Sequence, residues 1–162
     1  MSEPAIPFEV PEFAKHTFLF DESIWLISGL YINEKSVPVD VEGNSVISHR
    51  DGRWLNEVSI ELKTEDNREY RDRQYKTVFE YAPIESTLEP SAWHASNVLL
   101  GRLHGVLVFV DDTILSSYQT SNGNIRGLET MRRISETEYQ CRGALMEGET
   151  KSSSWVLRYD KG

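Results

Sequence analysis

Apolar side chains return at every second position through most of this chain, with polar ones between. Val37, Val39 and Val41 alternate with Pro38, Asp40 and Glu42. Trp54, Val58, Ile60 and Leu62 share a parity with Asn56, against Arg53, Leu55, Glu57, Ser59 and Glu61. Tyr75, Thr77, Phe79 and Tyr81 alternate with Lys76, Val78 and Glu80, and Trp155, Leu157 and Tyr159 with Ser154, Val156 and Arg158. A period of two marks a strand with one buried face. The pattern predicts strands over 24–32, 37–42, 45–50, 53–63, 68–72, 75–82, 97–101, 103–110, 113–119, 125–134, 137–145 and 153–160, some of them merging. Asn33-Glu34-Lys35, Glu42-Gly43-Asn44, Asp51-Gly52, Asp66-Asn67, Asp111-Asp112 and Ser121-Asn122-Gly123-Asn124 supply turns between them. Asp51-Gly52 is the strongest hairpin signal, because a type I′ turn needs positive φ at both central residues.

A helical period is almost absent. Only Pro11–His16 and the stretch around Leu88–His94, with Pro90 near its start, read as single helical turns. Many short strands joined in sequence, with no long crossover, predict an all-β fold: a single antiparallel up-and-down β-barrel of about 8–10 strands, whose closure removes exposed edges. Residues 1–22 stand apart. Pro4, Pro7 and Pro11 oppose regular structure, while Phe8, Phe13, Phe18 and Phe20 are too apolar for a free tail. The expected organisation is an N-terminal extension, 1–22, packed on or across a barrel domain, 23–162.

Charge narrows the partners. With 17 Lys and Arg against 26 Asp and Glu, the net charge is −9, which repels phosphate backbones and anionic lipid. Nucleic acid and membrane are therefore not expected as partners; a homodimer remains open. Cys141 is the single cysteine, so neither an internal disulfide nor a cysteine zinc cluster can form. No apolar run approaches the roughly 18–20 residues of a membrane span, and the start lacks the basic and apolar regions of a secretory signal, so a cytoplasmic location is expected.

No nucleophile elbow, phosphate loop or metalloprotease motif occurs, and His16, His49, His94 and His104 are scattered, so neither a metal nor a cofactor is expected. The aromatic set is more informative. Trp54, Tyr75, Phe79 and Tyr81 share the inner parity of two neighbouring strands, joined by Trp93, Tyr118 and Tyr139. Such walls either fill a barrel or line a pocket for a planar molecule. Asn56 stands between Trp54 and Val58 as a polar hook in a cavity or a satisfied core amide. His104, in a run apolar on both parities, reads as a buried base or a core histidine, its strand covered on both faces. Of His49 and Arg50, on opposite faces before the Asp51-Gly52 turn, one points inward; an inward Arg50 would attract a carboxylate. The mixed-sign run from Glu65 to Arg73 reads as a solvated edge hairpin, and Cys141 as inert core.

Trp25 at the opening of the first strand and Arg158 on the last resemble the calycin superfamily, the lipocalin-like and fatty-acid-binding-like barrels. The resemblance implies that Arg158 packs over the Trp25 ring and closes one end. Ser23-Ile24-Trp25 stands where lipocalins have Gly-x-Trp, and adjacent Arg158-Tyr159 where fatty-acid-binding proteins have Arg-x-Tyr. The nearest upstream histidine to the last strands is His104, so the heme ligation of nitrobindin-like barrels is not expected. The function expected is binding of a small apolar or aromatic molecule, carboxylate-bearing if Arg50 turns inward. Trp54, Asn56, Val58, Tyr75, Phe79, Tyr81, His104 and Tyr118 would line its site. One alternative is a cofactor-independent decarboxylase, isomerase or cyclase using Arg50, Tyr75, Tyr81 and His104; another is a packed barrel acting through its surface.

Overall fold

The computed structural model describes residues 15–63 and 74–162. Ten antiparallel strands form one closed ring: β1 (Ser23–Ile32), β2 (Pro38–Arg50), β3 (Arg53–Lys63), β4 (Gln74–Tyr81), β5 (Ser91–Asn97), β6 (Gly101–Val110), β7 (Thr113–Thr120), β8 (Ile125–Ser135), β9 (Glu138–Glu147) and β10 (Thr150–Lys161). Each strand pairs with its sequence neighbours, and β1 closes the ring against β10, with Trp25 opposite Lys161 and Ile32 opposite Ser154. The all-β up-and-down barrel expected from the alternation is the fold observed. Asp51 and Gly52 both take positive φ, 52° and 71°, as the type I′ turn between β2 and β3 requires.

Three local expectations differ from the structure. Glu42-Gly43-Asn44 is not a turn but the middle of β2. Gly43 lies so close to β3 that a Cβ there would meet the Ser59 carbonyl, so the glycine serves a close approach of two backbones. The helical turn expected around Leu88–His94 is instead the start of β5, which begins directly after Pro90; proline is tolerated just ahead of a strand because no ladder N–H is needed there. Consequently 97–101 is the β5–β6 hairpin rather than a strand. The strand expected over 68–72, the Asp66-Asn67 turn and most of the Pro11–His16 helical turn fall outside the described residues.

Inward and outward parities separate cleanly on most strands. On β6, Leu103 and Leu107 are buried inside, while Val106, Val108 and Val110 face out and are exposed. The strand is therefore not covered on both faces among the described residues, contrary to the reading of its doubly apolar run.

Residues 15–22 lie across the barrel end where β1 begins. A turn tied by the Asp21 N–H donating to the Thr17 carbonyl at 3.2 Å places Phe18 and Leu19 in the interior. Leu19 has φ 73°, an uncommon conformation for a branched side chain, and is almost fully buried; burial of its isobutyl group, worth about 1.5–3 kcal/mol, offsets the backbone cost. The Leu19 carbonyl accepts from His49 Nε2 at 2.7 Å. His16 completes the floor: Nε2 donates to the Asp111 carbonyl at 2.9 Å, so neutral Nδ1 accepts from the Tyr139 hydroxyl at 2.8 Å.

Candidate functional site

Above this floor the barrel is hollow. A cavity of about 650 Å³ runs from Phe18 and Leu19 to the β1–β2 and β5–β6 hairpins at the other end, where Asn33, Glu34, Asn97 and Leu99 border it. That volume is in the range of small-molecule sites. The packed barrel considered from sequence is not what forms.

The lumen stays open because large rings lie against the wall rather than across it. Trp93 on β5 is registered opposite Gly105 on β6, Tyr118 on β7 opposite Gly127 on β8, and Trp155 on β10 opposite Gly143 on β9. In each pair the ring occupies the space a Cβ would take; at Gly105 that Cβ would sit 2.6 Å from the Trp93 ring. Glycine lets an aromatic ring settle onto the neighbouring backbone, so bulk is spent along the wall. Small residues make the space as seats for rings, at Gly105, Gly127 and Gly143, while Ser28 and Ser117 face outward.

Glu129 is the acid of the deep wall. It lines the cavity from β8, and its Oε2 accepts from Trp155 Nε1 at 2.9 Å. Burial raises its pKa above the ordinary carboxylate value, while hydrogen bonds from Trp155 and the Cys141 thiol pull the other way. Its charge in turn helps hold the phenols of Tyr81, Tyr118 and Tyr159 and the Cys141 thiol in their protonated forms, burial being the larger cause for each. Across the lumen, Asn56 Oδ1 accepts from Ser45 Oγ at 2.5 Å, and Asn56 also bonds Tyr81. Trp93 Nε1 is buried with no acceptor among the described residues, a donor whose desolvation costs about 1–3 kcal/mol.

The structure brings together Asn56, Val58, Tyr75, Phe79, Tyr81 and Tyr118 on the cavity wall. Trp54 has the inner parity but belongs to the floor, stacked on His49 at 4.2 Å and edge-on to Phe20 at 5.3 Å. His104 is a correction: it projects to solvent from β6, opposite His94, with Gln119 Nε2 at 3.0 Å from its Nε2. It shares the outward parity of Val106 and Val108. Arg50 is exposed at the β2–β3 hairpin, outside the cavity, and it is His49 that turns toward the floor. Arg50 and His104 therefore do not assemble with Tyr75 and Tyr81. Trp25 and Arg158 lie on opposite faces of the wall: Trp25 is fully buried, while Arg158 is exposed and paired with Glu138 at 3.2 Å and Asp160 at 2.9 Å. The ring over Trp25 is Phe18, edge-on at 5.7 Å, so an aromatic plug does what the resemblance assigned to the arginine.

Sequence reading missed Glu129 and Trp155. Ile125, Gly127, Glu129 and Met131 share one parity on β8, but Leu128 and Ile134 on the other gave both faces equal apolar weight. A carboxylate alternating with a glycine and a methionine was the signal available. Among the described residues no group of His, Cys, Asp and Glu is placed to hold a metal ion.

No protein-family model matches the chain, and no curated protein matches it. Among solved structures, the S-type phycobiliprotein lyase CPES from Guillardia theta is similar, with a TM-score of 0.60 at 9% identity over 86% of this chain and 87% of that one. A redesigned β-barrel, mFAP1, bound to DFHBI is more distantly similar, with a TM-score of 0.44 at 14% identity over 87% of this chain and 95% of that one. At such identities the likeness is one of fold alone, a closed antiparallel β-barrel.

Proposed function

We propose that this protein is a binding barrel for a planar, largely apolar small molecule. The observation that carries the reading is the cavity of about 650 Å³, walled by aromatic faces that three cross-strand glycines hold clear of the lumen. The few polar groups of the wall, Asn56, Tyr81, Tyr118 and Glu129, orient rather than solvate such a ligand. Burying about 300 Å² of apolar ligand surface at about 25 cal/mol per Å² yields roughly 7.5 kcal/mol before association costs. A micromolar dissociation constant, about −8 kcal/mol, therefore requires nearly complete enclosure plus a polar contact. Titration of the uncharged fluorophore N-phenyl-1-naphthylamine into the native protein is the test. Saturable enhancement with a micromolar dissociation constant is expected; no saturation below about 100 μM, roughly −5.5 kcal/mol, would overturn the reading.

A further inference from the structure

The cavity wall is one-signed. Among the described residues that line it there is no Lys, Arg or His, and its only ionisable carboxyls are Glu129 in the deep wall and Glu34 at the mouth. A buried anionic group is costly unless it is paired with a cation or well hydrogen-bonded, and the candidate cation considered from sequence, Arg50, is outside. The opposite charge is catered for twice. Glu129 is fixed in place by the Trp155 N–H at 2.9 Å, and the rings beside it, Tyr118 and Trp155, present the electron-rich faces that attract cations. We propose that the ligand is a planar aromatic cation, its positive charge neutralised by the Glu129 carboxylate and its ring system laid against the glycine-seated aromatics. The inference rests on the binding-barrel reading and adds the sign of the ligand's charge.

The groups that face Glu129 from the packed strands are Tyr81 of β4, Tyr118 of β7, Cys141 of β9 and Trp155 and Tyr159 of β10. None of them is a base that could neutralise the carboxyl internally, so a bound cation restores the charge that burial suppresses. Cation binding is accordingly linked to release of the Glu129 proton.

Three nearly isosteric three-ring probes separate charge from shape: N-methylacridinium, a permanent cation; 9-methylanthracene, neutral; and anthracene-9-carboxylate. Dissociation constants measured on the full chain are expected to rank in that order, with the cation at least about tenfold tighter than the neutral ring. Glu129→Gln keeps an acceptor for the Trp155 N–H and should erase that preference, so that the cation and the neutral ring bind alike. The comparison with this variant removes the general attraction of a protein of net charge −9 for any cation. In the wild type alone, the cation's advantage should shrink as pH is lowered through the Glu129 titration, with the neutral probe unmoved. This arm decides the matter even if the variant fails to fold. Equal binding of cation and neutral ring, or a preference that survives both Glu129→Gln and acid, overturns the charge assignment and leaves the binding barrel standing. Failure of all three probes to bind would bring down both.

Discussion

The two ends of the barrel are built from the same residue types and reach opposite results. At the floor, rings meet edge to face across the axis: Phe18 on Trp25 at 5.7 Å, Phe18 on Tyr159 at 5.6 Å and Trp25 on Tyr139 at 5.5 Å. No glycine lies opposite these rings in the register, where Trp25 faces Lys161 and Ser45, and Tyr139 faces Tyr159 and Arg133. The side chains have nowhere to go but inward, and they fill the lumen. In the upper half, Trp93, Tyr118 and Trp155 each have a glycine partner and lie flat. For Trp93, Tyr118 and Trp155 it is thus the glycine across the ladder that lets the ring paper the wall rather than plug the barrel.

The largest way to break this contrast is Trp25→Ala. It deletes a fully buried indole from a filled region, so a loss of about 3–5 kcal/mol is expected in urea or thermal unfolding. Arg158→Ala is the paired control. Its guanidinium is exposed and makes only surface ion pairs, so the melting temperature should stay within error of wild type. A large effect of Arg158→Ala would restore the arginine to the closing role the resemblance implied.

A smaller effect is expected from Gly105→Ala. The new Cβ lies within 2.7 Å of both the Trp93 ring and the Ser117 carbonyl, so the indole must lift off its seat into the cavity. Overpacking of this kind costs about 1–3 kcal/mol, and probe affinity should fall with it. If binding of N-phenyl-1-naphthylamine is unchanged while stability drops, the glycine seats do not shape the site.

The smallest effect concerns pH. Burial, with Arg133 adding to it, lowers the His16 pKa below the ordinary histidine value of about 6.5, against the pull of the Asp111 carbonyl. A depressed histidine favours the neutral folded state, so its contribution is complete above about 6.5 and declines as pH falls from there toward the folded pKa. Protonation would set an Nδ1–H against the Tyr139 hydroxyl, which already accepts from the Thr17 N–H at 3.2 Å. His16→Gln should flatten this segment of the stability–pH curve; an unchanged slope would show that the floor does not titrate.

The fold was legible because alternation is a local property: each strand carries its own record of which face is buried, as Trp54 through Leu62 does. What the record does not state is which face is which when both are apolar. His104 was misplaced for that reason, since Leu103, Gly105, Leu107 and Phe109 compete with Val106, Val108 and Val110 for the interior. Glu129 was hidden by the same ambiguity on β8. The strand that carries Trp93 was lost to a proline that resembled a helix start. The glycine seats depend on register, which arises only when two strands are paired and is written in neither alone.

The floor also has a place in the order of assembly. His16 and Thr17 precede every strand of the barrel, yet their partners lie far along the chain: Asp111 is 95 positions on, Glu136 119 and Tyr139 123. The ring itself closes only when Trp25 finds Lys161. Contacts of such separation are formed late, because the chain entropy between them must be surrendered first. Successive hairpins can zip one after another, but a chain truncated before β9 lacks the Tyr139 hydroxyl that holds His16 and Thr17, and one truncated before β10 presents two unpaired edges. The cup acquires its base and its last wall together, once β9 and β10 have joined the sheet.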